Sequence, residues 1–219
     1  MTALAHAVRP SGVSAVTLAL VLSLQACTVN PPSPVKHSYL LEVNRAPSAE
    51  APVHRGTLFV AVFRVAEPFA GKGMVYRFDE YRYESDFYNE FFVAPRDIVT
   101  QRVFQWLQSA RLFDSTRPAA GGDRRGAVQL DGLVTEMYGD LRDAQQPRAV
   151  LAVQFYVTRD ARPGNEVLFA QQLSQSVPIE DASPNSLAAG LSQALQAILA
   201  ELEKQLRATP LLGEVKGEG

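Results

Sequence analysis

The stretch SPNSLAAGLSQALQAILAELEKQL, residues 183–206, decides more about the fold than any other part of the chain. Leu187, Leu191, Leu195, Ile198, Leu202 and Leu206 recur at spacings of four, four, three, four and four, which puts all six on one face of an α-helix. Ser183 is placed to accept a hydrogen bond from the first turn, and Pro184 fills the first helical position, where its missing N–H costs nothing. A long helix with a continuous apolar stripe has to bury that stripe, so the surface it covers must lie upstream.

Upstream, residues 166–177, 149–158 and 127–138 read as three strands, being rich in β-branched and aromatic residues. Their connections fall around 139–147 and 160–164, the rhythm of an antiparallel meander. Gly132 is expected to mark a bulge. Residues 117–126, RPAAGGDRRG, combine Pro, Gly and charge without periodicity and read as a loop. Before them, Ala94-Pro95 opens a helix on which Val99, Val103, Trp106 and Ala110 share one face. Residues 57–65, TLFVAVFRV, and 38–43 are expected to be strands, with 44–55 a loop. Residues 74–84 suggest a hairpin turning at Asp79-Glu80, in which Phe78 faces Tyr81 and Tyr76 faces Tyr83 on one side. No internal repeat is visible. The sum is a single mixed α/β domain, a largely antiparallel sheet with helices packed on it.

The amino-terminal region has a different character. Arg9 is the only Lys or Arg in residues 1–30, no acid occurs there, and 13–24 is almost unbroken apolar sequence. That is a signal-peptide plan, and the apolar run is too short to cross a hydrocarbon core that needs roughly 20 residues. It ends in Leu24-Gln25-Ala26-Cys27, which resembles the lipobox of bacterial lipoproteins: leucine three residues before the cysteine, a small residue next to it, cleavage between them. The resemblance implies diacylglyceryl transfer to the Cys27 thiol and acylation of the amine that cleavage frees. Thr28 stands where aspartate would, in enteric bacteria, signal inner-membrane retention, which favours the periplasmic face of the outer membrane. Pro31, Pro32 and Pro34 make 27–36 an extended tether. The expected organisation is a signal peptide over 1–26, lipidated Cys27 and tether over 27–36, the folded domain over 37–209, and a frayed tail over 210–219.

Composition narrows the chemistry. Lys and Arg number 21 against 23 Asp and Glu, which gives no electrostatic reason to expect nucleic acid. Cys27 is the only cysteine, so an intrachain disulfide cannot form. Histidine occurs only at 6, 37 and 54, which leaves nothing for a Ser-His-Asp or Cys-His site and no metal-motif spacing. Gly71-Lys72-Gly73 lacks the full phosphate-loop pattern and leads into a strand, so it reads as a turn. Neither a catalytic residue, nor a metal, nor any cofactor beyond the lipid on Cys27 is expected.

Two surface features remain. Asp79, Glu80, Glu84, Asp86 and Glu90 crowd one segment, where charges discourage edge-to-edge pairing of strands more readily than they make an acid/base pair. In the same segment Phe87, Tyr88, Phe91 and Phe92 do not alternate cleanly, and they are read either as core or as a surface for a partner protein or lipid. Arg117, Arg124, Arg125, Arg142, Arg148, Arg159 and Arg162 fall in expected loops, where a meander can gather several at one end.

The segment from Gly73 to Pro95, GMVYRFDEYRYESDFYNEFFVAP, followed by a helix ending Trp106-Leu-Gln-Ser-Ala-Arg-Leu-Phe113, resembles the ABC-type transport auxiliary lipoproteins, the PqiC-like family. Tyr39-Leu40-Leu41 soon after the cysteine and the terminal leucine-rich helix add to it. The resemblance implies a three-layer α/β sandwich and a periplasmic lipoprotein without catalytic residues. Its implied role is to work with an MCE-domain protein and an inner-membrane transporter complex in moving lipids between the two membranes, with phospholipid a candidate partner. Assembly into a homo-oligomer is left open. The alternative, from a different class, is a lipoprotein that itself binds a lipid or an envelope glycan between sheet and helices.

Overall fold

The apolar stripe of 183–206 finds its sheet. In the computed structural model, which describes residues 35–47, 55–119, 127–161 and 164–209, the folded unit begins at Lys36. Strands β1 (His37–Tyr39), β2 (Thr57–Val60), β3 (Arg64–Val65), β4 (Gly73–Arg77) and β5 (Tyr83–Phe91) precede helix α1 (Pro95–Ala110). Strands β6 (Ser115–Pro118), β7 (Val128–Asp140), β8 (Arg148–Ala161) and β9 (Gly164–Pro178) follow, and α2 (Pro184–Ala208) comes last. These nine strands join in one curled mixed sheet carrying the two helices, a mixed α/β architecture.

The sheet is organised on β7. Its whole length pairs antiparallel with β8, from Val128 opposite Arg159 to Asp140 opposite Arg148, and β8 pairs antiparallel with β9. This is the expected meander. The other edge of β7 is shared by three short parallel segments in succession, β2, β3 and β4. The long ladders are therefore antiparallel and the short joints mostly parallel. Beyond β4 lie β5, antiparallel to it, and β1, parallel to β5.

Side chains facing the helices make the core: Val128, Leu130, Val134 and Met137 from β7, and Leu151, Val153, Phe155 and Val157 from β8. All six stripe residues of α2 are buried, as are Val99, Val103 and Leu107 of α1. Each such aliphatic side chain contributes roughly 1.5–3 kcal/mol on leaving water. Ser183 caps α2 as expected, its Oγ accepting the N–H of Ser186 at 3.2 Å. Gly190 lets α2 approach the sheet closely, since a Cβ there would stand 2.4 Å from Ile179 and 2.7 Å from Ala149.

Four local expectations are corrected. The run 57–65 is broken, because Phe63 leaves the ladder between β2 and β3: its N–H goes to Thr100 Oγ1 at 2.9 Å, and its ring is fully buried over Gly132. Gly132 is accordingly not a bulge. It pairs in register with Phe155, and the register shifts between Val134 and Glu136 instead. The strand expected over 38–43 is the three residues of β1, although Leu41 beyond it is fully buried. Residues 115–118, partly placed in a loop, form β6 on the outer edge of β2, with Thr57 Oγ1 and Ser115 Oγ at 2.9 Å.

The hairpin forms one residue away from its expected register. Asp79 Oδ1 accepts the N–H groups of Tyr81 and Arg82, at 2.9 and 2.7 Å, so the turn is longer than two residues. Arg77 then pairs with Tyr83, and Tyr76 with Glu84. Because strand side chains alternate, a one-residue slip separates the two tyrosines by face. Tyr76 joins the core, while Tyr83 packs edge-on against Tyr138 with centroids 5.5 Å apart.

Candidate functional site

Cys27 and the lipobox residues Leu24, Gln25 and Ala26 lie outside the described residues, as do the tail from 210 and Arg124, Arg125 and Arg162. The aromatic set of β5 lies within them. Its uneven pattern has a local cause: Asp86 Oδ1 accepts the N–H groups of Tyr88 and Asn89, at 2.8 and 2.9 Å, and Oδ2 accepts from the Asn89 side chain at 2.9 Å. Burial pushes the Asp86 carboxyl up, but these bonds from Asn89 and Tyr88 outweigh it and hold the group below the usual carboxylate range. The kink interrupts the alternation of the strand.

Past the kink, β1 pairs with β5, His37 opposite Asn89 and Tyr39 opposite Phe91. Alternation turns Phe91 inward, where it is 3% exposed, so Phe91 is a core residue and is corrected out of the surface set. Phe87 at 69%, Tyr88 at 43% and Phe92 at 62% remain exposed, and Leu40 is half-exposed beside them in sequence order after β1. The Phe87 and Tyr88 rings meet edge to face at 5.2 Å. The ammonium of Lys36 sits 4.6 Å over the Phe87 ring and 3.4 Å from Glu90, and Lys72 Nζ donates to the Phe92 carbonyl at 2.9 Å.

The crowded acids have separate structural tasks. Asp79 forms the turn, Glu84 lies 3.7 Å from Arg82, Asp86 holds the kink and Glu90 faces Lys36. Among the described residues no group of three or more His, Cys, Asp and Glu is placed to hold a metal ion. Of the described members of the arginine set, those on the β7–β8 ladder are split between its two ends. Arg142 and Arg148 stand at one end of the β7–β8 ladder, where Arg142 pairs with Asp140 at 2.6 Å, whereas Arg159 stands at the other end of that ladder.

Sequence reasoning missed a buried charge cluster at the carboxyl ends of the two helices. Glu203, 8% exposed, accepts a bidentate bond from Arg45 at 2.8 and 2.7 Å, one from Arg207 at 3.0 Å and one from the Trp106 indole at 2.9 Å. Arg207 also donates to the Ala110 carbonyl of α1, and Arg55 to the Leu206 and Arg207 carbonyls of α2. Cations thus sit at the negative ends of both helix dipoles. The sequence did carry a signal, an acid lodged between Leu202 and Leu206 on the apolar side of α2. An open groove of about 800 Å³ lies over this cluster, lined by Asn44, Pro47, Gln196 and Ala200 among others.

The cluster has a pH signature. Burial raises the Glu203 carboxyl, but the hydrogen bonds of Arg45 and Arg207, the Arg45 charge and the Trp106 indole overcome it, leaving the group below its ordinary value of 4.5. A carboxylate depressed in the folded state stabilises above its unfolded pKa, and that stabilisation is lost as pH falls through the folded value. Melting temperature should therefore hold level above about pH 5 and fall below it, with a shallower acid limb for Glu203→Gln. Thermal melts across that range check this, and an unchanged acid limb in the variant would contradict it.

The described residues define a class, a curled mixed sheet bearing two helices on one compact α/β unit, and among them no helix is long and apolar enough to cross a membrane. No protein-family model matches the sequence, and no curated protein does. Solved structures do. A protein of Xanthomonas campestris carrying the DUF330 family model aligns with a TM-score of 0.68 at 15% identity, over 78% of this chain and 95% of that one. An uncharacterized protein aligns at 0.58 and 14% identity, over 78% and 99%. A hypothetical protein of Chlamydia trachomatis aligns at 0.47 and 9%, over 71% and 97%. The first two show that this chain has the fold of the DUF330 protein.

Proposed function

We propose that this chain is a lipid-anchored envelope protein of the PqiC-like type, which without enzymatic chemistry of its own docks an MCE-domain partner of an intermembrane lipid transporter. The observation that carries the reading is positional: Leu24-Gln25-Ala26-Cys27 stands just ahead of a proline-bearing segment that ends where the folded unit starts, at Lys36. Acyl chains on Cys27 supply about 0.8 kcal/mol for each buried methylene, so several chains hold the domain at a bilayer. The DUF330 fold, matched along 95% of the Xanthomonas chain, is consistent with the same family. The outer membrane's periplasmic face is the proposed site of attachment.

The test has two arms. Replacing Cys27 by serine is expected to block acylation and with it cleavage after Ala26, so that the unacylated precursor accumulates and the mature, detergent-partitioning form falls by roughly tenfold or more. Unchanged processing and partitioning would overturn the anchor. Cross-linked, acylated wild-type protein is expected to recover an MCE-domain protein from intact envelopes. Repeated recovery of none would overturn the docking role while leaving the anchor standing.

A further inference from the structure

We infer that the exposed aromatic edge formed by Phe87 and Tyr88 of β5, with Phe92 and Leu40 beyond, is a membrane-contact surface that seats the domain on the same bilayer its acyl chains enter. The inference rests on the anchor proposed above and adds the face by which the domain lies down. The chain length sets the reach. From Cys27 to Lys36 the polypeptide makes nine residue steps, about 30 Å at most when fully extended. Lys36 is in direct contact with Phe87, its ammonium 4.6 Å from the ring centroid. Phe87 thus lies against the residue at which the tether joins the folded unit.

The chemistry suits a bilayer surface. Aromatic rings with apolar bodies prefer the headgroup zone, and lysines keep their charge in water while their stems lie on apolar surface. Here two exposed phenylalanines and a tyrosine are accompanied by Lys36 and Lys72, while the one acid facing Lys36, Glu90, is engaged by it at 3.4 Å. Lys36 and Lys72 are offset by Glu90 and by Asp86 beside Phe87, so seating rests on the aromatic rings more than on net charge. The edge is also held in shape before any lipid arrives, because Asp86 fixes the kink at Tyr88 and Asn89 through three hydrogen bonds. A surface of this kind needs no deep pocket. The opposite edge of the sheet, β9, is left for other contacts.

The experiment uses the full acylated protein on vesicles of phosphatidylethanolamine with phosphatidylglycerol as the minor anionic component, their acyl chains brominated near the glycerol. Phe87→Trp is compared with Val167→Trp on exposed β9, and the wild type supplies the background of buried Trp106. Circular dichroism establishes that each variant is folded, and Tyr88→Trp stands in if Phe87→Trp is not. Quenching of the residue 87 indole by about twofold or more, with none at 167, is the expected result. Vesicle-bound protein whose residue 87 indole is unquenched, or quenched no more than that at 167, overturns the inference and leaves the anchor intact. Wild type that fails to float with vesicles overturns the anchor, and the inference with it. If the residue 87 indole is unquenched while Phe87→Glu abolishes recovery of the MCE-domain protein, the edge is a protein interface and the inference falls.

Discussion

Replacing Glu203 by leucine is expected to destabilise the domain by about 3–5 kcal/mol, the usual effect of removing one partner from a buried ion pair. The carboxylate is 8% exposed and holds Arg45, Arg207 and the Trp106 indole at once. Leucine fits the volume and the helix, so the loss is electrostatic: two guanidinium groups and an indole N–H keep their positions without their shared acceptor. Arg45 and Arg207 also reach the terminal carbonyls of α1, so the damage extends to the junction of the two helices. For a domain of this size, a melting temperature lower by about 10 °C or more is expected. Urea titration checks the magnitude, and a loss below about 1 kcal/mol would mean that solvent reaches the cluster and screens it. A variant that also replaces Arg45 should lose less than the sum of the two single changes, because the carboxylate and its main donor leave together.

Gly132→Ala is expected to cost about 3 kcal/mol, the upper part of the range for an overpacked core. The methyl would stand 1.9 Å from one carbon of the Phe63 ring and 2.2 and 2.5 Å from two others. The ring has nowhere to go, being fully buried and set edge-on against Phe155 at 5.9 Å. Phe63→Ala alone is expected to cost about 3–5 kcal/mol through the cavity it leaves. Combining the two is the informative measurement: without the ring, the added methyl should cost under about 1 kcal/mol, since alanine is otherwise at ease in a strand. Denaturant midpoints of the four proteins supply the cycle. Full additivity would show that Phe63 and residue 132 do not share one space.

The elements legible from residues alone were those whose pattern repeats over many positions. The α2 stripe and its Ser183 cap, the α1 face with Val99, Val103 and Trp106, and the β7–β8–β9 meander all carry periodicity longer than any single interaction. What escaped depends on one contact at a time. The hairpin register turned on Asp79 accepting two backbone N–H groups, which a reading based on two-residue turns cannot anticipate. The break at Phe63 needed Gly132, distant in sequence, to supply a space. Strand β6, with the sequence Ser-Thr-Arg-Pro, has little strand character and exists because β2 offers it an edge. Of the surface set, Phe87, Tyr88 and Phe92 were placed outward and Phe91 inward by the kink at Asp86, whose hydrogen bonds no periodicity reveals.

The shared edge of β7 also dictates an order of events when the polypeptide is made. Leu58 of β2 needs Thr116 on one side and Val128 on the other, and Tyr76 of β4 needs Gly139. A nascent chain emerging amino end first therefore cannot complete its early strands until the long central one has been synthesised, and the loop-closure entropy of these distant pairings slows assembly. Strands β2, β3 and β4 have no partner along that edge until β7 has been made, although β4 can already pair with β5. Such a chain stays threadable for longer than one built from local hairpins.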